Sequence, residues 1–328
     1  MNKTVIFLIL VVLLACALTL GVLMGGAQLP TMSIIDALIH TERCDTTHTL
    51  IWGLRIPRII RAMVVGASLA GCGVAFQAVL RNPLAEPYTL GVSAGGALGA
   101  TLAIILGLSG LSMVVLCFAG CIMSISLVIA MSTFRDFSTT TIILSGVVLS
   151  FLLSSVVMFI FTIASSREVY ASILWIMGSL SSVDTISTPV LLMTVFPLIL
   201  LLSLFARDMN LISMGDEKAH FLGFSPGVLK TVLLTIASLI TGVCVAISGI
   251  IGFVGLIIPH AMRKAVGADH QVLLPASMLA GSTFLLLCDT LSQIIIRPYE
   301  LPVGVITGIA GGVFFLAYLL KANPPEVI

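Results

Sequence analysis

Runs of apolar residues long enough to cross a lipid bilayer recur along the whole chain, and they restrict its fold more than any other feature. A membrane-spanning helix needs about 20 mostly apolar residues. Nine such runs lie between charged residues, prolines and glycines; they cover residues 5–27, 59–80, 89–108, 111–132, 139–164, 189–206, 229–248, 272–296 and 303–320. Charged residues make up only 9% of the 328 positions, too few to cover a water-exposed surface. We therefore expect residues 1–328 to form a single membrane domain.

The first apolar run has two interpretations. Lys3 followed by apolar residues up to Cys16 resembles the signal of a lipoprotein. However, the run continues without interruption from Val5 to Ala27, whereas the apolar part of a secretory signal has about 7–15 residues. We therefore favour a first transmembrane helix.

The apolar stretch from Thr231 to Met262 predicts a broken helix. Its 32 residues would extend about 48 Å as one helix, whereas the hydrocarbon core is about 30 Å thick. We expect the break within residues 248–255, which contain Ser248 and three glycines, and a short half-span after it. The sequence thus predicts an all-α, polytopic membrane bundle of about ten transmembrane helices, with both termini on one side.

Lysine and arginine residues in short loops indicate the orientation, because the cytoplasmic loops of membrane proteins are enriched in them. With both termini in the cytoplasm, nine of these residues lie on the inner side and six on the outer side. This excess favours cytoplasmic termini. Residues 28–58 then form an outer loop that can contain a short helix opening at Thr31 or Ser33, and residues 207–229 form the longest inner loop.

The inner loop contains a candidate docking helix. Residues 215–222 can form a short amphipathic helix with acidic residues in its first turn, where the helix dipole favours them, and with Gly223 as its stop. The segment can be a solvated connector. Its apolar residues Met214, Ala219 and Leu222 would face an aqueous compartment, however, and exposed apolar groups of this kind favour contact with a partner protein.

Two spans carry glycines at four-residue spacing, which bares the backbone on one helix face and lets another helix approach closely. The glycines are Gly91, Gly95 and Gly99 in one span and Gly304, Gly308 and Gly312 in the other. An internal repeat and the glycine-rich faces common in membrane bundles explain this similarity equally well.

Several longer segments carry a distinctive set of residues. They are Arg55–Arg58, Gly66–Ala70 with Gln77, Arg81–Pro87, Leu90–Gly95, Trp175–Leu180, Gly215–Gly223, Ser248–His260 and Glu300–Val305. In their order and spacing they resemble the FecCD-type permeases, the type II ABC importers of iron siderophores, haem and vitamin B12. The resemblance extends from residue 52 to residue 320.

The resemblance implies a permease of the prokaryotic cytoplasmic membrane that works as a homodimer or as a pair of paralogues. It implies two cytoplasmic ATPase subunits and an extracytoplasmic substrate-binding protein as partners. The sequence has no GxxxxGK[ST] phosphate-binding loop, so we expect ATP and Mg²⁺ at the partner ATPase. We expect this chain itself to bind no cofactor and to be no enzyme, without catalytic residues. A net charge of +1 gives no reason to expect nucleic acid as a partner, and membrane lipid is the expected surrounding.

The resemblance also implies roles for particular residues in contact with the partners. The ATPase-coupling residues are Gly215, Asp216, Glu217, Ala219, Leu222 and Gly223. Arg55, Arg58 and Arg297 are candidate contacts for acidic residues of the binding protein, because guanidinium groups bind carboxylates bidentately. Alternatively, these arginines are interfacial anchors whose charged ends reach the membrane surface.

A translocation gate is implied near the inner side of the pathway. Its residues are Asn82, Leu84, Ser138, Thr139 and Thr140. Small polar and apolar groups suit a gate that must not hold its cargo tightly. Capping of the neighbouring helices by Asn82 and Ser138 is the alternative.

Asp289 is the only acid deep in a predicted span, and such a residue is a functional candidate by default. We favour a hydrogen-bonded packing role near the outer ends of the last helices. The five histidines do not converge in the sequence and no HExxH pattern occurs, so we expect no metal site.

Two other functional classes compete with an ATP-driven importer. An ion-coupled secondary carrier normally places several acids and bases near the middle of the membrane, whereas this chain has one such acid. An intramembrane enzyme would need an assembled nucleophile and base. For the cargo, ferric siderophore is our first choice, and haem, cobalamin and an oxyanion such as molybdate remain open.

Overall fold

The computed structural model describes residues 2–40, 46–133, 138–181, 187–221 and 223–321. The α-helices in chain order are α1 (Lys3–Leu23), α2 (Thr31–Ile39), α3 (Thr46–His48), α4 (Ile56–Leu80), α5 (Val92–Ile105), α6 (Leu111–Thr133), α7 (Thr139–Ile163), α8 (Ser166–Ile176), α9 (Ser187–Leu204), α10 (Ala206–Ser213), α11 (Asp216–Phe221), α12 (Pro226–Ser248), α13 (Val254–Val266), α14 (His270–Ile294) and α15 (Val303–Lys321). A π-helical stretch, Thr49–Arg55, joins α3 to α4, and a 3₁₀ turn, Pro87–Leu90, precedes α5.

The helices form the predicted polytopic membrane bundle. Seven helical segments of the described residues are long and apolar enough to cross a membrane: α1, Thr46–Leu80, α6, α7, α9, α12 and α14. Helix α5 has 14 residues, α13 has 13 and α15 has 19. The ten predicted segments are therefore all present as helices, although α5 and α13 are short.

Three helices form the centre of the bundle. In the 18-residue apolar window of each span, the share of residues that are buried is 78% for the span that contains α4, 72% for α12 and 61% for α14. In α1 it is 22%. Glycines allow the close contacts at this centre. A Cβ atom at Gly66 would collide with the backbone carbonyl of Gly281 in α14, and one at Gly73 would collide with that of Gly255 in α13.

The predicted helix break lies between α12 and α13. Gly249 ends α12 with φ +68°, and Phe253 has φ +69° just before α13. The unwound backbone is held from one side by Tyr88, whose hydroxyl donates to the Ile251 carbonyl at 3.0 Å. From the other side, the Ser179 amide donates to the Ser248 carbonyl at 2.8 Å. Hydrogen bonds to neighbouring segments thus replace some of those that the break removes from the helix.

The loops differ from the sequence-based prediction in two places. The span predicted from residue 59 continues a helical segment that begins at Thr46, because the π-helical stretch Thr49–Arg55 leads directly into α4. The predicted short helix in the outer loop is confirmed as α2. The 207–229 loop contains α10 in addition to the predicted short helix, which is present as α11, while its docking role stays a prediction.

We predict that Gly73→Ala destabilises the bundle although alanine is a better helix former than glycine. The new methyl group meets backbone that cannot turn aside, at an expected cost of about 1–3 kcal/mol. Gly71→Ala is the matched control in the same helix, because its methyl group would meet the flexible Met278 side chain at 3.3 Å. Thermal unfolding of the purified protein in detergent should show a lower midpoint for Gly73→Ala only. Equal midpoints would refute the close contact.

Candidate functional site

Helix α4 connects two clusters of charged residues at opposite ends of the bundle. Its 25 residues extend about 37 Å. Arg58 and Arg61 lie at its start, and Arg81 directly follows its last residue. We call the end of the bundle with Arg55, Arg58, Arg61 and Arg297 the arginine end, and the opposite end, with Arg81 and α11, the α11 end.

Arg58 makes a buried ion pair with Asp289 at the arginine end. Its Nε donates to both Asp289 carboxylate oxygens, at 3.1 and 2.9 Å, and its Nη2 donates to Oδ1 at 3.0 Å. Gln293 also donates to this carboxylate at 2.9 Å. Nη1 of Arg58 donates to Glu300 at 2.7 Å. The structure therefore gives Asp289 the hydrogen-bonded packing role that we favoured from the sequence.

Arg55 and Arg297 bind backbone carbonyls in the last turn of α1 and in the segment that follows it. Arg55 donates to the carbonyls of Val22 and Ala27 at 2.6 and 2.9 Å, and Arg297 donates to the carbonyl of Gly25 at 2.8 Å. The anchoring interpretation does not describe Arg58, because its side chain turns inward to Asp289. The docking role of the three arginines stays a prediction.

A cavity of about 150 Å³ opens among these arginines. Arg55, Arg58, Arg61, Gln293 and Glu300 contribute to its lining. The side chain of Asp289 is 1% exposed and that of Glu300 is 38% exposed. The two acids that bind Arg58 thus differ sharply in their access to solvent.

Asp216 fixes α11 to two transmembrane helices at the other end. Its carboxylate accepts from Arg81 at 3.0 Å and from Lys230 of α12 at 2.7 Å. Lys230 is deeply buried, at 2% side-chain exposure, so its ammonium needs an acidic partner. Arg81 adopts a left-handed backbone conformation with φ +47°, which residues other than glycine seldom adopt. Asp216 therefore connects α11 directly to the end of α4.

Glycines begin and end α11. Gly215, with φ +112°, precedes the helix, and Gly223, with φ +84°, follows it. The Gly223 amide donates to the His220 carbonyl and the Phe224 amide to the Ala219 carbonyl, a Schellman motif. The predicted stop at Gly223 is confirmed. Gly215 also makes a sharp turn that an L-side chain would strain.

The apolar face of α11 differs from the prediction. Ala219 is 1% exposed and packs inward, so its predicted exposure is wrong: the ion pairs of Asp216 turn this side of the short helix toward the bundle. Leu222 lies outside the described residues. Phe221 is 87% exposed and Met214 is 55% exposed, while Glu217 is also exposed. Phe221 is the prominent exposed apolar group, and the sequence interpretation missed it.

A second connection at the α11 end joins α10 to the turn before α14. Asn210 donates to Asp269 at 2.9 Å and accepts from the His270 amide at 2.9 Å. The Asn210 side chain and the Gln271 amide lower the pKa of Asp269. Because the pKa of Asp269 is lower in the folded state, this contact stabilises the protein at neutral pH. The stabilisation is lost as the pH falls through the folded-state pKa. No motif of the sequence points to Asn210.

The predicted gate residues lie near the α11 end but in two separate segments. Asn82 forms a turn in which its side chain accepts from the Leu84 amide at 2.9 Å, and Leu84 is 53% exposed. Ser138 precedes α7, and within the described residues its hydroxyl makes no capping bond to that helix. Thr139 and Thr140 begin α7. The turn at Asn82 fits the structural alternative for that residue, and the gate itself stays a prediction.

A groove of about 290 Å³ lies between α5, α7 and the helix break. Ser93, Ala94, Ser150, Ser154 and Ile250 contribute to its lining. Serine hydroxyls and apolar side chains, including Met158 and Phe161, line it without a charged residue among them. No group of three or more metal-ligating residues occurs in the part of the chain that the structure describes.

Residues 9–321 match the family described as the FecCD transport family. The chain belongs to this family. The resemblance seen in the sequence is thereby confirmed, and the protein is an ABC importer permease, a transport subunit rather than an enzyme.

The relatives of this permease cover nearly its whole length. It is 34% identical to the hemin transport system permease protein HmuU of Yersinia pestis, over 96% of this chain and 94% of that protein. It is 39% identical to the cobalamin import system permease protein BtuC of Halobacterium salinarum, over 92% and 81% of the two chains. A solved structure described as an inward-facing conformation of an ABC transporter assigned to the metal-chelate type has a TM-score of 0.86 at 30% identity, covering 98% of this chain and 100% of its own.

We predict that Asp289→Asn strongly destabilises this permease. The substitution leaves the buried Arg58 guanidinium without its bidentate partner, and breaking a buried pair in this way costs roughly 3–5 kcal/mol. Glu300→Gln is the matched control, because it removes the second, partly exposed acid from the same arginine. It should cost less than about 1 kcal/mol. Thermal unfolding in detergent measures both, and equal losses would refute the unequal roles of the two acids.

Proposed function

We propose that this permease imports a metal chelate, with ferric siderophore as the first choice, across the cytoplasmic membrane of a prokaryote. Two cytoplasmic ATPase subunits drive transport, and an extracytoplasmic binding protein delivers the cargo. Both termini and the α11 end face the cytoplasm, and the arginine end faces outward. Haem, cobalamin and molybdate are the alternative cargoes of the same family; the names of the relatives above support haem and cobalamin.

The observation that carries this proposal is the exposed helix α11. Gly215 and Gly223 delimit it, Asp216 fixes it to the membrane helices, and Phe221 projects from it. An apolar side chain held out of the bundle on an anchored helix suits insertion into a cleft of a partner. In the proposed assembly the cleft belongs to the ATPase subunit, and Glu217 lies beside the contact.

Movement of the ATPase subunits then reaches the membrane helices through ion pairs. Asp216 contacts Arg81, which directly precedes the predicted gate residues Asn82 and Leu84. Lys230 ties the same carboxylate to α12, the helix that ends at the break. A displacement of α11 therefore acts on the gate segment and on the broken helix together.

The translocation pathway lies between this permease and a second copy or a paralogue. The groove along α7 supports this arrangement, because it combines an uncharged lining with an open side. Large apolar side chains of α7, such as Phe151 at 72% exposure and Met158 at 65%, are available for contact with the second chain or with lipid. An uncharged lining suits passage of a bulky chelate without tight binding.

An ion-coupled carrier is disfavoured by the state of Asp289. A carboxylate that carries a coupling ion must exchange it, whereas Asp289 is 1% exposed and bound bidentately by Arg58. Its negative charge is therefore already compensated within the chain.

Transport assays in vesicles test the proposed function. The permease is reconstituted with its cognate ATPase and binding protein and is offered ferric siderophore, haem, cobalamin and molybdate separately. We expect uptake of one cargo, dependent on ATP and on the binding protein. Uptake that follows an ion gradient without ATP would refute the proposal.

We predict that Asp216→Asn uncouples ATP hydrolysis from uptake. The variant weakens both ion pairs of α11, so ATPase movement reaches α4 and α12 less effectively. Uptake per ATP hydrolysed should fall roughly tenfold, the effect of about 1.4 kcal/mol. Asp208→Asn, which removes an acid from the adjacent α10, is the control and should behave as the unaltered protein. An unchanged ratio in Asp216→Asn would contradict the coupling role.

A further inference from the structure

Glu300 binds Arg58 at the outer edge of the cavity at the arginine end. The distance from Arg58 Nη1 to the Glu300 carboxylate is 2.7 Å, and the Glu300 side chain is 38% exposed. It also borders the cavity of about 150 Å³ together with Arg55 and Arg61. Glu300 is thus a partly solvated acid placed between an arginine cluster and the solvent.

The arginine end keeps an excess of positive charge among the described residues. Arg55 and Arg297 donate to neutral backbone carbonyls, which satisfy hydrogen bonds without cancelling the charge. Arg55 lines the cavity beside Arg58. The arginine end is therefore complementary to a carboxylate of a partner.

The two acids on Arg58 occupy different nitrogen atoms, so one can leave without the other. Asp289 accepts from Nε and Nη2, whereas Glu300 accepts from Nη1. After departure of Glu300, Arg58 keeps its bidentate partner in the protein interior, and Nη1 faces the cavity. The fold does not depend on Glu300 to compensate the buried charge.

We propose that Glu300 is an internal stand-in for a carboxylate of the binding protein, and that docking exchanges the two on Arg58. This inference rests on the proposed function, because it assigns the arginine end to the docked binding protein. The occupant is an acidic side chain of that protein, which enters the cavity and takes over Nη1. Glu300 then weakens docking in the resting permease and makes it reversible.

The position of Glu300 links the exchange to the last helix. Glu300 lies three residues before Val303, the first residue of α15. The Leu301 amide donates to the Ser292 carbonyl at 3.0 Å, so the segment remains attached to α14 on the other side. In α15, Gly304 packs closely against the backbone carbonyls of Met177 and Ile250. Release of Glu300 thus removes one of the two described attachments of the segment that leads into a helix packed on the break.

We predict that Glu300→Gln tightens docking of the binding protein. Binding of the cognate, cargo-free binding protein to the permease–ATPase complex in lipid nanodiscs is measured at low and high ionic strength. We expect a Kd roughly fivefold lower at low salt, because the competing ion pair is gone, and a smaller difference at high salt.

Two further variants separate exchange from a general change in charge. Glu168→Gln removes one acid from exposed α8, and glutamine preserves the capping box with Ser165. It should leave the Kd nearly unchanged. Glu300→Asp keeps the charge but shortens the side chain, so it withdraws from Arg58 and should also lower the Kd, by a smaller factor than Glu300→Gln.

The possible outcomes distinguish this inference from the proposed function. Tighter docking in both Glu300 variants, with Glu168→Gln unchanged, supports the exchange. An unchanged Kd in Glu300→Gln, or the same decrease in Glu168→Gln, overturns it even though the importer functions. Failure of the unaltered permease complex to bind the protein in any condition would instead overturn the proposed docking function.

Discussion

A charged group inside an apolar bundle has to be compensated within the chain, and the Arg58–Asp289 ion pair meets this requirement for the central helices. The pair joins α4 to α14 across 231 positions of sequence. Removal of a charge from water is costly, so neither partner is stable there alone. The remaining contacts of the arginine end, including the cavity and Glu300, are arranged around this fixed pair.

The same requirement accounts for the contacts at the α11 end. At the α11 end, Asp216 compensates buried Lys230 and also holds Arg81. A short amphipathic helix outside the membrane thereby gains a direct contact with two transmembrane helices. At the break between α12 and α13, hydrogen bonds from Tyr88 and from the Ser179 amide hold the unwound backbone.

Features set by local sequence could be predicted, whereas contacts between distant residues could not. The length of the 231–262 stretch required a break, and the acids followed by Gly223 indicated α11 with its stop. By contrast, the amphipathic pattern of a six-residue helix does not determine which side faces inward, so Ala219 was assigned to the wrong side and Phe221 was missed. Arg58 was recognised as important, but its partner could not be identified from spacing. The ion pair of Lys230 could have been expected from the sequence, because a lysine at the start of an apolar helix needs a nearby acid.

We propose α11 as the site at which ATP-driven movement enters the membrane domain. Photo-crosslinking from a photoreactive phenylalanine analogue at position 221 tests it most directly, with the same analogue at Phe196 of α9 as control, since Phe196 is also exposed, at 69%, but lies in a membrane span. In the reconstituted complex, we expect crosslinks from position 221 to the ATPase subunit, with a yield that changes on addition of ATP. We expect no crosslinks to the ATPase subunit from position 196. Crosslinks to lipid alone from position 221, or equal yields of ATPase crosslinks from both positions, would contradict it.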